Sequence, residues 1–113
     1  MTVAARKIQL DRELKRMVVQ LKRRYRPEQI VVFGSFARGR THAWSDLDLM
    51  IVKRTRKPFI ARSIEAALAA RPTVGVDFVV YTPQEIAQLR QENQYFIRQI
   101  DQGTVLYDRT QAA

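Results

Sequence analysis

The sequence predicts one small α+β domain in which amphipathic helices alternate with short strands. Three observations point there. The chain has 113 residues, one domain's worth, with no Pro-, Gly- or Ser-rich linker and no internal repeat. Apolar residues make up 46%, too many for a disordered tail. Stripes of apolar residues at spacings of three and four alternate with short β-branched runs.

The first element is a helix. Leu10, Leu14, Met17, Val18, Leu21 and Tyr25 form one apolar stripe, and the other faces carry Arg12, Lys15, Arg16, Lys22, Arg23 and Arg24. Pro27 ends this basic amphipathic segment of residues 1–26. Ile30–Phe33 is a buried strand bounded by Pro27 and Gly34. Gly34-Ser35 breaks it, and Phe36–Arg38 starts a short helix with Ser35 as its N-cap. After a polar loop, Asp46–Val52 is the second strand. Its alternation puts Asp46, Asp48 and Met50 on one face and Leu47, Leu49 and Ile51 on the other.

Phe59–Ala70 is the next helix, with Ile60, Ile64, Ala67 and Leu68 along its apolar side. Val76–Tyr81 is a third strand, with Asp77, Val79 and Tyr81 sharing a face. Thr82-Pro83-Gln84-Glu85 has the form of a capping box with Pro at the first helical position. The helix it starts runs to Gln102 with a break near Asn93, Gly103 stops it, and Thr104–Tyr107 is a last strand. The order is αβαβαβαβ, with strands too few and too short for a large parallel sheet.

Composition narrows the chemistry. There is no cysteine, which removes disulfides, a thiolate nucleophile and every Cys-based zinc site. One histidine, His42, cannot build a His-rich metal cage and reads as an ordinary loop residue. No apolar run is long enough to span a bilayer, and the charged start lacks a signal peptide's apolar stretch, so a cytoplasmic protein without membrane contact is expected. The formal charge is +9, and it is uneven: residues 1–26 hold nine Lys/Arg against two acids. Lys53, Arg54, Arg56 and Lys57 form a second basic cluster. Such faces attract polyanions at low salt, but there is no aromatic interleaving, recognition helix or zinc-finger pattern, so nucleic-acid binding is a secondary reading.

The informative constellation is Gly34-Ser35, then Asp46-x-Asp48, then Asp77 in a later strand. A Gly-Ser corner between strand and helix exposes backbone N–H groups and a hydroxyl, which suits a phosphate, and Gly34 lets a ligand approach the backbone. Two Asp at i and i+2 share a strand face and repel. A divalent cation resolves that repulsion, and hard oxygen ligands select Mg²⁺ or Mn²⁺. A third carboxylate from a neighbouring strand completes a site for two ions about 3.5–4 Å apart, suited to in-line phosphoryl displacement. Asp77, if it lies beside the pair, could also take a proton from an attacking hydroxyl. Trp44 either covers the sheet, the favoured reading, or stacks on a base.

Gly34-Ser35-Phe36-Ala37-Arg38-Gly39 followed by Ser45-Asp46-Leu47-Asp48-Leu49 resembles the polymerase-beta-type nucleotidyltransferase superfamily, above all its small stand-alone members, the minimal nucleotidyltransferases. The resemblance covers Ile30 to Val80, with an echo in Ile100–Tyr107. It implies a small mixed β-sheet with helices packed on it, a catalytic core over residues 30–80, and a C-terminal helix and short strand over 82–107. It implies that Asp46, Asp48 and Asp77 hold Mg²⁺ and that Gly34 and Ser35, assisted by Arg38, bind the nucleoside triphosphate. The implied activity is transfer of a nucleoside monophosphate, often AMP from ATP, to a hydroxyl. Many small relatives neutralise a helical HEPN-domain toxin, some by adding AMP to its tyrosine, so the resemblance also implies a HEPN partner and an antitoxin role. The chain has no acceptor domain, so a protein partner or a dimer mate would have to present the acceptor. A non-catalytic module that masks its partner is the alternative.

Overall fold

The computed structural model describes residues 1–111, and the elements run α1 (Val3–Arg24), β1 (Gln29–Phe33), α2 (Gly34–Ala37), β2 (Leu47–Val52), α3 (Phe59–Ala70), β3 (Val76–Tyr81), α4 (Pro83–Glu92), α5 (Gln94–Asp101) and β4 (Thr104–Asp108), closed by a 3-10 turn (Arg109–Gln111). The strands form one mixed sheet in the order β3-β2-β1-β4. β1 pairs antiparallel with β2 and β4, while β2 and β3 are parallel and joined through α3. The expected α+β architecture is therefore present, and among the described residues no helix is long and apolar enough to cross a membrane.

The strand alternation sorts the core into two layers. Leu47, Leu49 and Ile51 of β2 join Ile30, Val32, Phe78 and Val80 in packing against Leu10, Leu14, Met17 and Leu21 of α1 and against α3. The opposite face carries Val31, Met50 and Val52, covered by Ile86 of α4 and by Phe96 and Ile100 of α5. Aromatic rings tie this second layer together: Phe96 meets Phe33 edge-on at 6.0 Å and Tyr81 at 5.7 Å.

Local signals set the helix ends. The Thr2 hydroxyl accepts from the Ala5 amide at 3.0 Å, which starts α1 close to the first residue. Arg26 takes a positive φ of 52° before Pro27 and turns the chain into β1. The capping box at α4 forms as the sequence indicates: Glu85 N–H donates to the Thr82 hydroxyl and the Glu85 carboxylate accepts from the Thr82 amide. The break near Asn93 is real, because its side chain accepts from the Phe96 amide and caps α5.

Four expectations need correcting. β2 begins at Leu47, leaving Asp46 just ahead of the ladder. Ser35 caps nothing, since α2 starts at Gly34, with Phe33 in the cap position and no side-chain cap bond. Trp44 does not cover the sheet; it is 77% exposed and only leans on the His42 ring at 5.2 Å. The fourth correction concerns α3. Its inward residues are Arg62, Ala66 and Ala70, whereas Ile60, Ile64 and Leu68 point to solvent. Small alanines let α3 lie close to α1 and the sheet, and the buried Arg62 guanidinium finds partners there. It donates to the Lys57 and Val80 carbonyls at 2.8 and 3.2 Å and to the Glu85 carboxylate at 2.6 Å.

A second ion pair, buried on its Glu13 side, locks α1 to the α3–β3 connection. Glu13 bonds Arg16 at 2.5 Å and accepts the Thr73 amide at 2.7 Å, while Arg16 reaches the Arg71 carbonyl. The Arg16 guanidinium in particular holds the Glu13 carboxyl well down, at about 2.

The orientation of α3 is open to a direct check. Ala66→Leu, at a fully buried position, should cost about 1–3 kcal/mol by overpacking, while Leu68→Ser should stay within about 0.5 kcal/mol of the parent in urea unfolding. The reverse order would mean that the apolar stripe faces inward.

Candidate functional site

Strand register sets Asp48 beside Asp77, and Asp46 lies just ahead of the ladder. Phe33, the last residue of β1, lies opposite Asp48, so Gly34 falls beside the Asp48 carboxylate as the chain turns away. On the other side of β2, Asp48 is in parallel register with Asp77. Asp46 precedes Asp48 by two residues and lies next to Gly75, as Leu47 N–H donates to the Gly75 carbonyl at 3.1 Å. Asp48 and Asp77 share the face that carries Met50 and Val79, at the head of the sheet.

Two glycines make room for these carboxylates. Gly34 has φ +78°, and a Cβ there would run into the Asp48 carboxylate. That combination demands glycine twice over, once for the backbone and once for the space. At Gly75 a Cβ would sit 2.6 Å from Asp46 Cγ and Oδ1. Nothing in the reading of the sequence singled out Gly75; its one signal was a lone glycine directly ahead of the strand that carries Asp77.

Electrostatics record the crowding. Burial pushes the Asp48 carboxyl above the usual carboxylate range, and the negative charge and hydrogen-bonding contact of Asp77 and the charge of Asp46 push it the same way. Asp46 is treated differently. Arg6, on the first turns of α1, pairs with Asp46 Oδ1 at 3.3 Å and donates to the Ser45 carbonyl at 2.8 Å. Sequence reasoning missed Arg6 because the contact spans 40 residues and leaves no local pattern.

The Gly34-Ser35 corner forms beside the acids, with Ser35 partly buried and Arg38, Gly39 and Arg40 exposed at the rim. The Ser45 hydroxyl accepts the His42 amide at 2.7 Å and fixes the loop that leads into Asp46.

Among the described residues no group of three or more His, Cys, Asp or Glu side chains is gathered tightly enough to hold a metal ion as it stands. The donor set still fits a hard divalent cation. Asp48 and Asp77 stand side by side with Asp46 near them, and burial together with the two neighbouring charges disfavours the charge on Asp48, which a cation would relieve.

The second basic cluster lies elsewhere. Lys53–Lys57 follows the far end of β2, beside a hollow of about 460 Å³ lined by Arg54, Thr55, Arg56, Thr82, Pro83 and Gln84. Much of its charge is already matched. Arg54 pairs with Glu28 at 2.8 Å, Lys57 pairs with Glu65 at 2.6 Å, and Lys53 donates to the Tyr25 carbonyl and sits over its ring.

A three-layer α+β fold with acids at the heads of paired strands, next to a glycine-serine corner, is the architecture of a nucleotidyltransferase domain. Residues 15–112 match the family of polymerase beta-type nucleotidyltransferases, and the chain belongs to that family. The fold is also that of a crystallised protein from Sulfolobus solfataricus described as a candidate nucleotidyltransferase. The two share 17% identity and superpose with a TM-score of 0.72 over 99% of this chain and 92% of the other. A comparison with curated protein sequences finds no match.

The strained acid cluster has a measurable consequence. A carboxyl whose folded pKa is raised destabilises the native state once it ionises, so stability through this group rises as pH falls. Asp48→Asn should therefore raise the Tm of the metal-free protein by a few degrees at neutral pH, and the gap should close as pH falls into the usual carboxylate range. A neutral-pH Tm at or below that of the parent would contradict the crowding.

Proposed function

We propose that this chain is a Mg²⁺-dependent nucleotidyltransferase that transfers AMP from ATP to a hydroxyl on a partner protein. The observation that carries this reading is the parallel register that sets Asp77 beside Asp48, next to the Gly34 turn. Asp46, Asp48 and Asp77 would hold the cation, which when bound neutralises the charge of the polyphosphate. The Gly34 backbone and the Ser35 hydroxyl bind the triphosphate at the corner, and Arg38 at the exposed rim supplies a counter-charge. In the transfer the acceptor oxygen bonds to the α-phosphorus, the bond to pyrophosphate breaks, and the hydroxyl proton passes to the Asp77 carboxylate. Asp77 is exposed and so is open to an incoming acceptor.

The acceptor is taken to be a tyrosine of a HEPN-domain toxin, and the chain its antitoxin. That reading rests on the likeness of Gly34–Gly39 and Ser45–Leu49 to small stand-alone members of the family. A masking role without catalysis is the second reading. One observation favours it: Ile60, Ile64 and Leu68 present an apolar stripe on α3 with exposures of 73%, 55% and 70%. The nucleic-acid reading is weaker, because three of the four cations in the Lys53–Lys57 cluster already have partners.

The deciding experiment incubates the chain with labelled ATP, Mg²⁺ and the protein encoded beside it. Transfer of label should fall by about a hundredfold or more in Asp48→Ala and in Asp77→Ala. Toxin neutralisation that survives intact in both variants would leave masking as the function.

A further inference from the structure

Arg6 belongs to α1, yet its side chain is only 14% exposed because it reaches into the acid cluster. Three acceptors surround the guanidinium: the Ser45 carbonyl at 2.8 Å, Gln9 Oε1 at 2.9 Å and Asp46 Oδ1 at 3.3 Å. The two shorter bonds go to neutral groups and anchor the arginine whether or not Asp46 is there. Asp46 is the freer member of the pair. Its side chain is 63% exposed, and it stands ahead of β2. On the side facing β3 its carboxylate fills the space that a side chain at Gly75 would take. A buried, well-anchored cation thus faces a carboxylate that is largely open to solvent.

We propose that Arg6 is a counter-ion latch on Asp46, which a divalent cation must displace before Asp46 can join Asp48 and Asp77. This rests on the reading of the three acids as the cation-binding set. The latch offsets the charge of the acid cluster while no metal is bound, at the expense of metal affinity. A guanidinium and a divalent cation cannot both take full advantage of the same oxygen, so each weakens the other.

The test is a titration of the full-length protein with Mn²⁺ alone, following free Mn²⁺ by its EPR signal at low salt. Arg6→Gln should bind Mn²⁺ about three- to tenfold more tightly than the parent, the size expected for one partly screened charge. Lys7→Gln removes the same charge one residue along, from an exposed side chain, and should leave the affinity unchanged. In an Asp46→Asn background the gain from Arg6→Gln should vanish. Unchanged or weaker binding in Arg6→Gln overturns the latch; a drop in Tm with unchanged Mn²⁺ affinity would make Arg6 a mere staple between α1 and the β2 loop. Should Arg6→Gln not fold, Arg6→Lys should still give a smaller gain, since its ammonium cannot hold all three acceptors, and weaker binding there counts equally against the idea. If the parent and Asp48→Ala retain Mn²⁺ alike, the acid-site reading itself fails, and the latch falls with it.

Discussion

Repulsion among carboxylates at the heads of β2 and β3 is the force that the surrounding structure has to contain. Asp48 bears most of it, between Asp77 across the parallel ladder and the turn at Gly34. Burial, and after it the charges of Asp77 and Asp46, push its carboxyl above the usual carboxylate range. Containment comes from a strand anchored on both faces. Leu47, Leu49 and Ile51 are fully buried under α1 and α3, and Met50 is buried under the second layer, so β2 cannot shift to relax the acids. Burial of about 1.5–3 kcal/mol per large apolar side chain is what holds β2 in place.

The helices divide this labour. α1 supplies the widest apolar surface, and its N-terminal turns also bring Arg6 to Asp46, so one helix both packs the core and compensates the charge. α3 makes the crossover that lets β3 run parallel to β2. It lies flat on its neighbours through Ala66 and Ala70, and the Arg62–Glu85 pair ties it to the start of α4. The helical layer on the Asp48 face is thinner, with no buried residue in α4. The acid end of the sheet is correspondingly open.

Much of this was legible in the sequence, because the informative signals were local. The alternation Leu47-Asp48-Leu49-Met50 fixed which side chains share a face, the capping box at Thr82 fixed a helix start, and Asn93 marked a break. Gly34-Ser35 and the three acids were visible as a pattern, and the structure gives the pattern its geometry through register. What stayed hidden was non-local. Arg6 pairs across 40 residues. Periodicity identified an apolar stripe on α3 but not its direction, since the rule assumes that the bulkiest apolar residues face the core. Here close approach favoured alanines, and the inward arginine was satisfied by the Lys57 and Val80 carbonyls and by Glu85. Trp44 misled for a related reason: a large aromatic beside a strand is often buried, but the tight His42–Ser45 turn swings this one outward.

The parallel pairing of β2 with β3 also constrains how this chain can diversify. Side chains on a strand alternate with a period of two, so adding or deleting one residue between Arg71 and Gly75 would bring Phe78 or Val76, rather than Asp77, opposite Asp48. Arg71 is a left-handed helix cap and is gripped by Arg16, which leaves that connection little slack. Among the described residues the Arg38–Trp44 loop has no such side-chain tether to the ladder. The approach to Asp46 and β2 can therefore lengthen at little cost, while the link ahead of Asp77 is held to its length by register.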